Sequence, residues 1–177
     1  MTLASDKVMN LDKANPVLLF LDFDGVLHPQ PCRQDELFER LPLLEEWLRE
    51  HLQVEVVISS SWRHQVPWQA ILERFSPDIR GRVIGHTPPF SEVGPALVPA
   101  GILIFQREAE IFAWRQVRGR LADPWIALDD FPWWFSHRCA NLLTTDPATG
   151  LTAAGMVELG QRIKTINFEG ARNDDAT

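Results

Sequence analysis

No apolar run in the chain approaches the roughly 20 residues that a membrane-crossing helix requires. The opening stretch, MTLASDKVMNLDKANP, lacks the continuous apolar segment of a secretory signal. The expectation is a protein without membrane contact. Cysteine is scarce: Cys32 and Cys139 are the two present, without metal-ligand spacing. They argue against a disulfide scaffold and for a reducing, cytoplasmic setting. Positive charge is scarce too, with 17 Lys+Arg against 24 Asp+Glu and a formal net charge of −7. That argues against a broad basic face for long duplex nucleic acid, though a small basic pocket stays compatible with it. Tyrosine is absent, whereas tryptophan occurs seven times. An exposed indole can stack on a nucleobase. A buried one fills a core, which is the more ordinary place.

What is present fits one domain, since 177 residues give a sizeable core but not two comfortable ones. Residues 1–14 read as a loose arm, 15–164 as the domain and 165–177 as a polar tail. VLLFL, 17–21, is a continuous apolar run of the kind a strand buried on both faces requires. From Pro42, the spacing of Leu43, Leu44, Trp47, Leu48 and Leu52 predicts a helix with proline in its first turn. Strands follow at 54–59 and 82–85, separated by a helix at 68–75. The Pro- and Gly-rich stretch 86–101 is a loop, and ILIF, 102–105, is a strand or a packing segment. A helix over about 107–121 places Ile111, Trp114, Val117 and Leu121 on one face. Strands at 124–130 and 140–145 come next, then a helix over 153–163 capped by Thr152. Strands alternating with helices imply right-handed βαβ units, hence an α/β, Rossmann-like parallel sheet flanked by helices.

Three of the apolar runs end on polar residues: VLLFL on Asp22, VEVVI on Ser59 and PWIAL on Asp129. In an open α/β sheet the carboxyl ends of the strands line the ligand crevice. Asp22, Asp24, Asp129 and Asp130 therefore gather at one rim, and their repulsion calls for a positive partner. A hard divalent cation, Mg²⁺, is the simplest, because it takes oxygen ligands and one or two carboxylates. The competing reading makes both acidic pairs turn and cap residues. DDFPWWF, 129–135, follows at once, so that Phe131, Trp133 and Trp134 wall the site or form a contact surface, with at least one of them in the core.

DFDGV resembles the first signature of the haloacid dehalogenase (HAD) superfamily of aspartate-nucleophile phosphatases, VVIS resembles the second and LDD one form of the fourth. DFDGVLHP, SSSWR, a downstream TP, ALDD and TGLT together resemble the HAD-like domain of Swiss Army knife RNA-repair proteins over about 16–163. The resemblance implies a capless or nearly capless HAD-like fold and a Mg²⁺-dependent phosphomonoester hydrolase. Its substrate would be a nucleotide, a nucleic-acid end or another phosphomonoester. Asp22 would be the nucleophile that becomes an aspartyl-phosphate, and Asp24 the general acid and base. Asp22, Asp129 and the Asp24 carbonyl would hold Mg²⁺, with Asp130 assisting. Ser59 or Ser60 would bind a phosphoryl oxygen. Arg107 matches the third signature, although a cation near a helix N-terminus opposes the helix dipole; as an exposed charge it would cost little. Arg63 is a second phosphate candidate, while Arg115 and Arg118 read as a solvated helix face. His28 either contacts substrate or sits in the nearby loop, and Trp62 either stacks on a base or packs. His64 and His86 lack partner spacing. Two alternatives are a receiver-like signalling module and a phosphate-binding domain without turnover. Oligomeric state stays open.

Overall fold

The structure, a computed structural model, describes residues 16–174; the arm expected at 1–14 lies outside them. Five strands form one sheet: β1 Val17–Leu21, β2 Val54–Ile58, β3 Val83–His86, β4 Trp125–Asp129 and β5 Leu142–Thr144. Their order is β3-β2-β1-β4-β5 and every pairing is parallel. This is the expected Rossmann-like arrangement. β1 lies in the middle, and all five of its residues are buried, which is why its sequence shows no polar alternation.

Five helices accompany the sheet: α1 Leu41–Glu50, α2 Trp68–Leu72, α3 Pro77–Arg80, α4 Gln106–Val117 and α5 Ala153–Asp174. Side chains alternate between the faces of β1. Leu19 and Leu21 join Leu44 and Leu48 of α1, Ile79 of α3 and Leu159 of α5 in the larger core, whereas Leu18 and Phe20 meet Ile111 and Trp114 of α4. None of the helices is long and apolar enough to cross a membrane among the described residues.

Several elements differ from expectation for local reasons. The helix expected over 68–75 stops at Leu72, because Ser76 precedes Pro77 and is held extended; α3 restarts after it. α4 ends at Val117 rather than 121, where Gly119 takes φ +66° and turns the chain out of the helix. Leu121, beyond the helix, and Val117, at its last position, are both exposed. Segment 102–105 forms turns, with the Ile102 amide donating to Pro99 and the Phe105 amide to Ile102; Ile102 and Leu103 pack on Val98 and Ala109. α5 continues past Ile163, its next eleven residues containing no proline, and Ile166 adds to the larger core. Arg115 is buried, not solvated. It donates to the carbonyls of Leu121 and Asp123 and lies over Trp125. Arg118 is exposed.

The register fixes the rim. Leu21 stands opposite both Ile58 and Leu128. The next residue along each segment, Asp22, Ser59 and Asp129, therefore lies at one level at the end of the sheet, Asp129 still paired with Thr144 of β5. Between β1 and β2 the chain forms turns, a short 3₁₀ helix and α1, and between β3 and α4 turns and another short 3₁₀ helix. No inserted domain covers this rim among the described residues.

Candidate active site

Asp22 and Asp129 are buried, and Asp130 is half-buried. One oxygen from each of the three lies within 4.8 Å of the others. Their backbone surroundings already stabilise charge: the Phe23 amide donates to Asp22 Oδ1 at 2.8 Å and the Phe131 amide to Asp129 Oδ1 at 2.9 Å. Burial nevertheless pushes all three carboxyls above the usual range, Asp129 to about 7. Arg107 opposes this for Asp22, and the Asp22 charge adds to it for Asp129.

Arg107, in the first turn of α4, is 3% exposed and sits among the acids. Its Nε is 3.1 Å from Asp129 Oδ2, and its terminal nitrogens are 3.6 Å from Asp22 Oδ2 and 3.2 Å from Glu110 Oε2. The competing alternative, Arg107 as an exposed charge, is thus excluded. Three carboxylates offset the unfavourable helix dipole. The positive partner that the acids call for is, in the first instance, this guanidinium. Glu110, fully buried and absent from the sequence reading, also binds Arg63 at 2.8 Å. Its place at i+3 from Arg107 on α4 was the available signal. Arg63 further donates to the carbonyls of Ser60 and Pro88, which leaves only its buried Nε without a partner. The carboxyls here outnumber the two guanidiniums, and the all-oxygen donor set of Asp22, Asp129 and Asp130 suits one hard divalent cation.

The Asp24 carboxylate stands apart from this trio. It accepts from Trp62 Nε1 at 3.1 and 3.2 Å and meets His28 Nε2 at 3.0 Å. The Phe38 amide donates to His28 Nδ1 at 3.4 Å, so the imidazole proton lies on Nε2 and points at Asp24. That hydrogen bond, the largest influence, holds the Asp24 carboxyl below the usual range. His28 is 1% exposed, boxed by Phe38 and Trp62. It is neither a loop bystander nor free to meet substrate. The Trp62 ring packs edge-on to Phe23 and Phe38 and is not free to stack on a base.

Ser60 hydrogen-bonds Asp22 and accepts from the Trp62 amide. Ser59, level with Asp22, keeps a buried hydroxyl without a protein partner, as does Thr87 beside it on the end of β3. Orphaned buried hydroxyls are costly until a ligand or water reaches them. His64 and His86 are exposed and have no carboxylate partner among the described residues.

Gly25 closes the turn at φ +66°, where its carbonyl accepts from Thr145 Oγ1 at 2.7 Å. A Cβ there would lie 2.5 Å from the Asp130 carboxyl carbon. Gly25→Ala is expected to cost about 1–2 kcal/mol for the left-handed backbone alone and to displace Asp130. Urea unfolding reads the first effect and weakened Mg²⁺ binding the second.

A family model for the HAD domain in Swiss Army Knife RNA repair proteins matches residues 18–156. No curated protein and no solved structure matches the chain.

Proposed function

The chain belongs to the family of HAD domains of Swiss Army Knife RNA repair proteins, and from that premise we propose that it is a Mg²⁺-dependent phosphomonoester hydrolase with Asp22 as nucleophile. The observation that carries this reading is the separation of two carboxylates two residues apart. Asp22 is buried against Arg107 and gathers with Asp129 and Asp130, whereas Asp24 is turned away from that cluster and oriented by His28 and Trp62. One acid in the charged cluster and one held apart beside it can take different roles, the first as nucleophile and the second in proton transfer.

In the first step an Asp22 oxygen attacks phosphorus and the bond to the leaving oxygen breaks. That oxygen takes a proton from Asp24, which acquires one as the anionic phosphoryl group arrives and raises its pKa. In the second step water attacks the aspartyl-phosphate, its proton passes to Asp24, and phosphate departs with Asp22 restored. Ser59 donates to a phosphoryl oxygen, Ser60 does so when its hydroxyl turns from Asp22, and Arg107 balances the phosphoryl charge. Asp22, Asp129 and Asp130, with the Asp24 carbonyl, would hold Mg²⁺, which when bound neutralises the phosphate and charge developing in the transition state. Substrates of this reading are nucleotides or nucleic-acid ends.

Hydrolysis of an aryl phosphate is expected with Mg²⁺, lost on chelation and restored by re-addition. At tenfold over its dissociation constant, Mg²⁺ is expected to raise Tm by about 3–5 °C. A Tm shift without turnover would favour a phosphate-binding module. Neither effect would defeat both readings.

A further inference from the structure

The turn that follows β4 holds an indole in water. Trp133 is 78% exposed and Phe131 41%. The turn is nevertheless pinned at three points. The Phe131 amide donates to Asp129. The Trp134 ring lies 4.9 Å from the Arg107 guanidinium and 4.6 Å from the Phe131 ring. The Ser136 amide and hydroxyl donate to Glu108 of α4 at 2.6 and 3.1 Å. Burial of apolar surface would not favour a fixed, projecting tryptophan; an aromatic ligand would.

A cavity of about 340 Å³ opens against this turn, lined by Phe105, Trp133, Arg138, Cys139 and Thr144, among others. Thr144 is the β5 register partner of Asp129, so the cavity begins one strand from the acid cluster. Burial pushes the Cys139 thiol up to about 11, which leaves that wall neutral. Arg138 is exposed and has no carboxylate partner among the described residues. It also holds φ 60°, a conformation unfavourable for a residue with a Cβ. A cation without a carboxylate partner that lines the same cavity as an indole, in a chain of net charge −7, is suited to an anionic aromatic ligand.

We propose that this cavity is a nucleoside subsite, in which the base of the substrate stacks on Trp133 and Arg138 faces its sugar-phosphate side while the scissile phosphate lies at Asp22. The inference rests on the hydrolase reading and names its substrate class as nucleotides: either a free nucleoside monophosphate or the last nucleotide of a single strand. The cavity volume accommodates one nucleoside and not a duplex.

The test compares kcat/KM for a nucleoside monophosphate, for a short oligonucleotide with a terminal phosphate, and for base-free ribose 5-phosphate. Trp133→Ala is expected to lower the ratio of nucleotide to ribose 5-phosphate about five- to hundredfold, the worth of one stacked base, and Trp133→Phe to recover most of it. Loss with the monophosphate assigns the subsite to free nucleotides, and loss with the oligonucleotide alone assigns it to strand ends. An unchanged ratio in both arms overturns the proposal, as does an unchanged ratio joined to a changed oligomeric state, which would make Trp133 a protein contact. Calorimetric binding of the same oligonucleotide to Asp22→Asn protein, with and without Trp133→Ala, reads the subsite without turnover. If no phosphate ester is hydrolysed yet the tryptophan change weakens binding, the hydrolase reading fails and the subsite stands.

Discussion

Asp22→Asn is expected to lower turnover by about 10⁵- to 10⁶-fold, the scale on which loss of a nucleophile is felt, while leaving Tm unchanged or higher. The two effects have one origin. Asp22 is buried, and burial raises its pKa above the ordinary 3.8. Folding therefore opposes its ionisation, and above its ordinary pKa the charge subtracts from stability. Asparagine keeps the oxygen that accepts from the Phe23 amide and removes the repulsion with Asp129. Steady-state assay with a thermal melt on the same preparation checks both. An active variant removes Asp22 from the mechanism, and an unfolded one makes Asp22 a structural partner of Arg107.

Arg107→Met is expected to cost about 3–5 kcal/mol, because it leaves buried carboxylates without their shared counter-charge. Asp22, Asp129 and Glu110 all contact Arg107 within 3.6 Å. Domains have on the order of 5–15 kcal/mol in total, so the variant would be marginal, and guanidinium titration would show it. Arg107→Lys should recover part of the loss, since one ammonium cannot span three carboxylates as a planar fork does. Mg²⁺ should stabilise the Met variant more than the parent, because a cation among Asp22 and Asp129 substitutes for the missing charge while Glu110 retains Arg63. A loss below 1 kcal/mol would mean that the acids are already satisfied by their amide donors.

The strands were legible because a central parallel strand has no wet face. VLLFL, VEVVI and WIALD leave little else to be. Their polar ends were legible for the same reason, as the residues at which the buried runs stop. Partners chosen in three dimensions were not. Sequence position marks Arg107 as a cation at a helix start, but its burial depends on β4 ending beside α4. His28 is four residues from Asp24, yet only the turn around Gly25 brings the ring back to the carboxylate. The expected apolar face of α4 failed at Val117, six residues from Ile111, which the helical period carries to another side. Trp62 stayed open between stacking and packing because its company, Phe23 and Phe38, comes from distant positions.

The uncovered rim over β1 and β4 has a consequence for the order of events. A hydrolase with a hinged roof keeps solvent out during the first transfer and must then reopen to let it in. No roof covers this rim among the described residues, so in the proposed mechanism the body of the bound ester would be the shelter over Asp22. Shelter of that kind would depart with the alcohol, and the act of leaving would admit the water that completes the cycle.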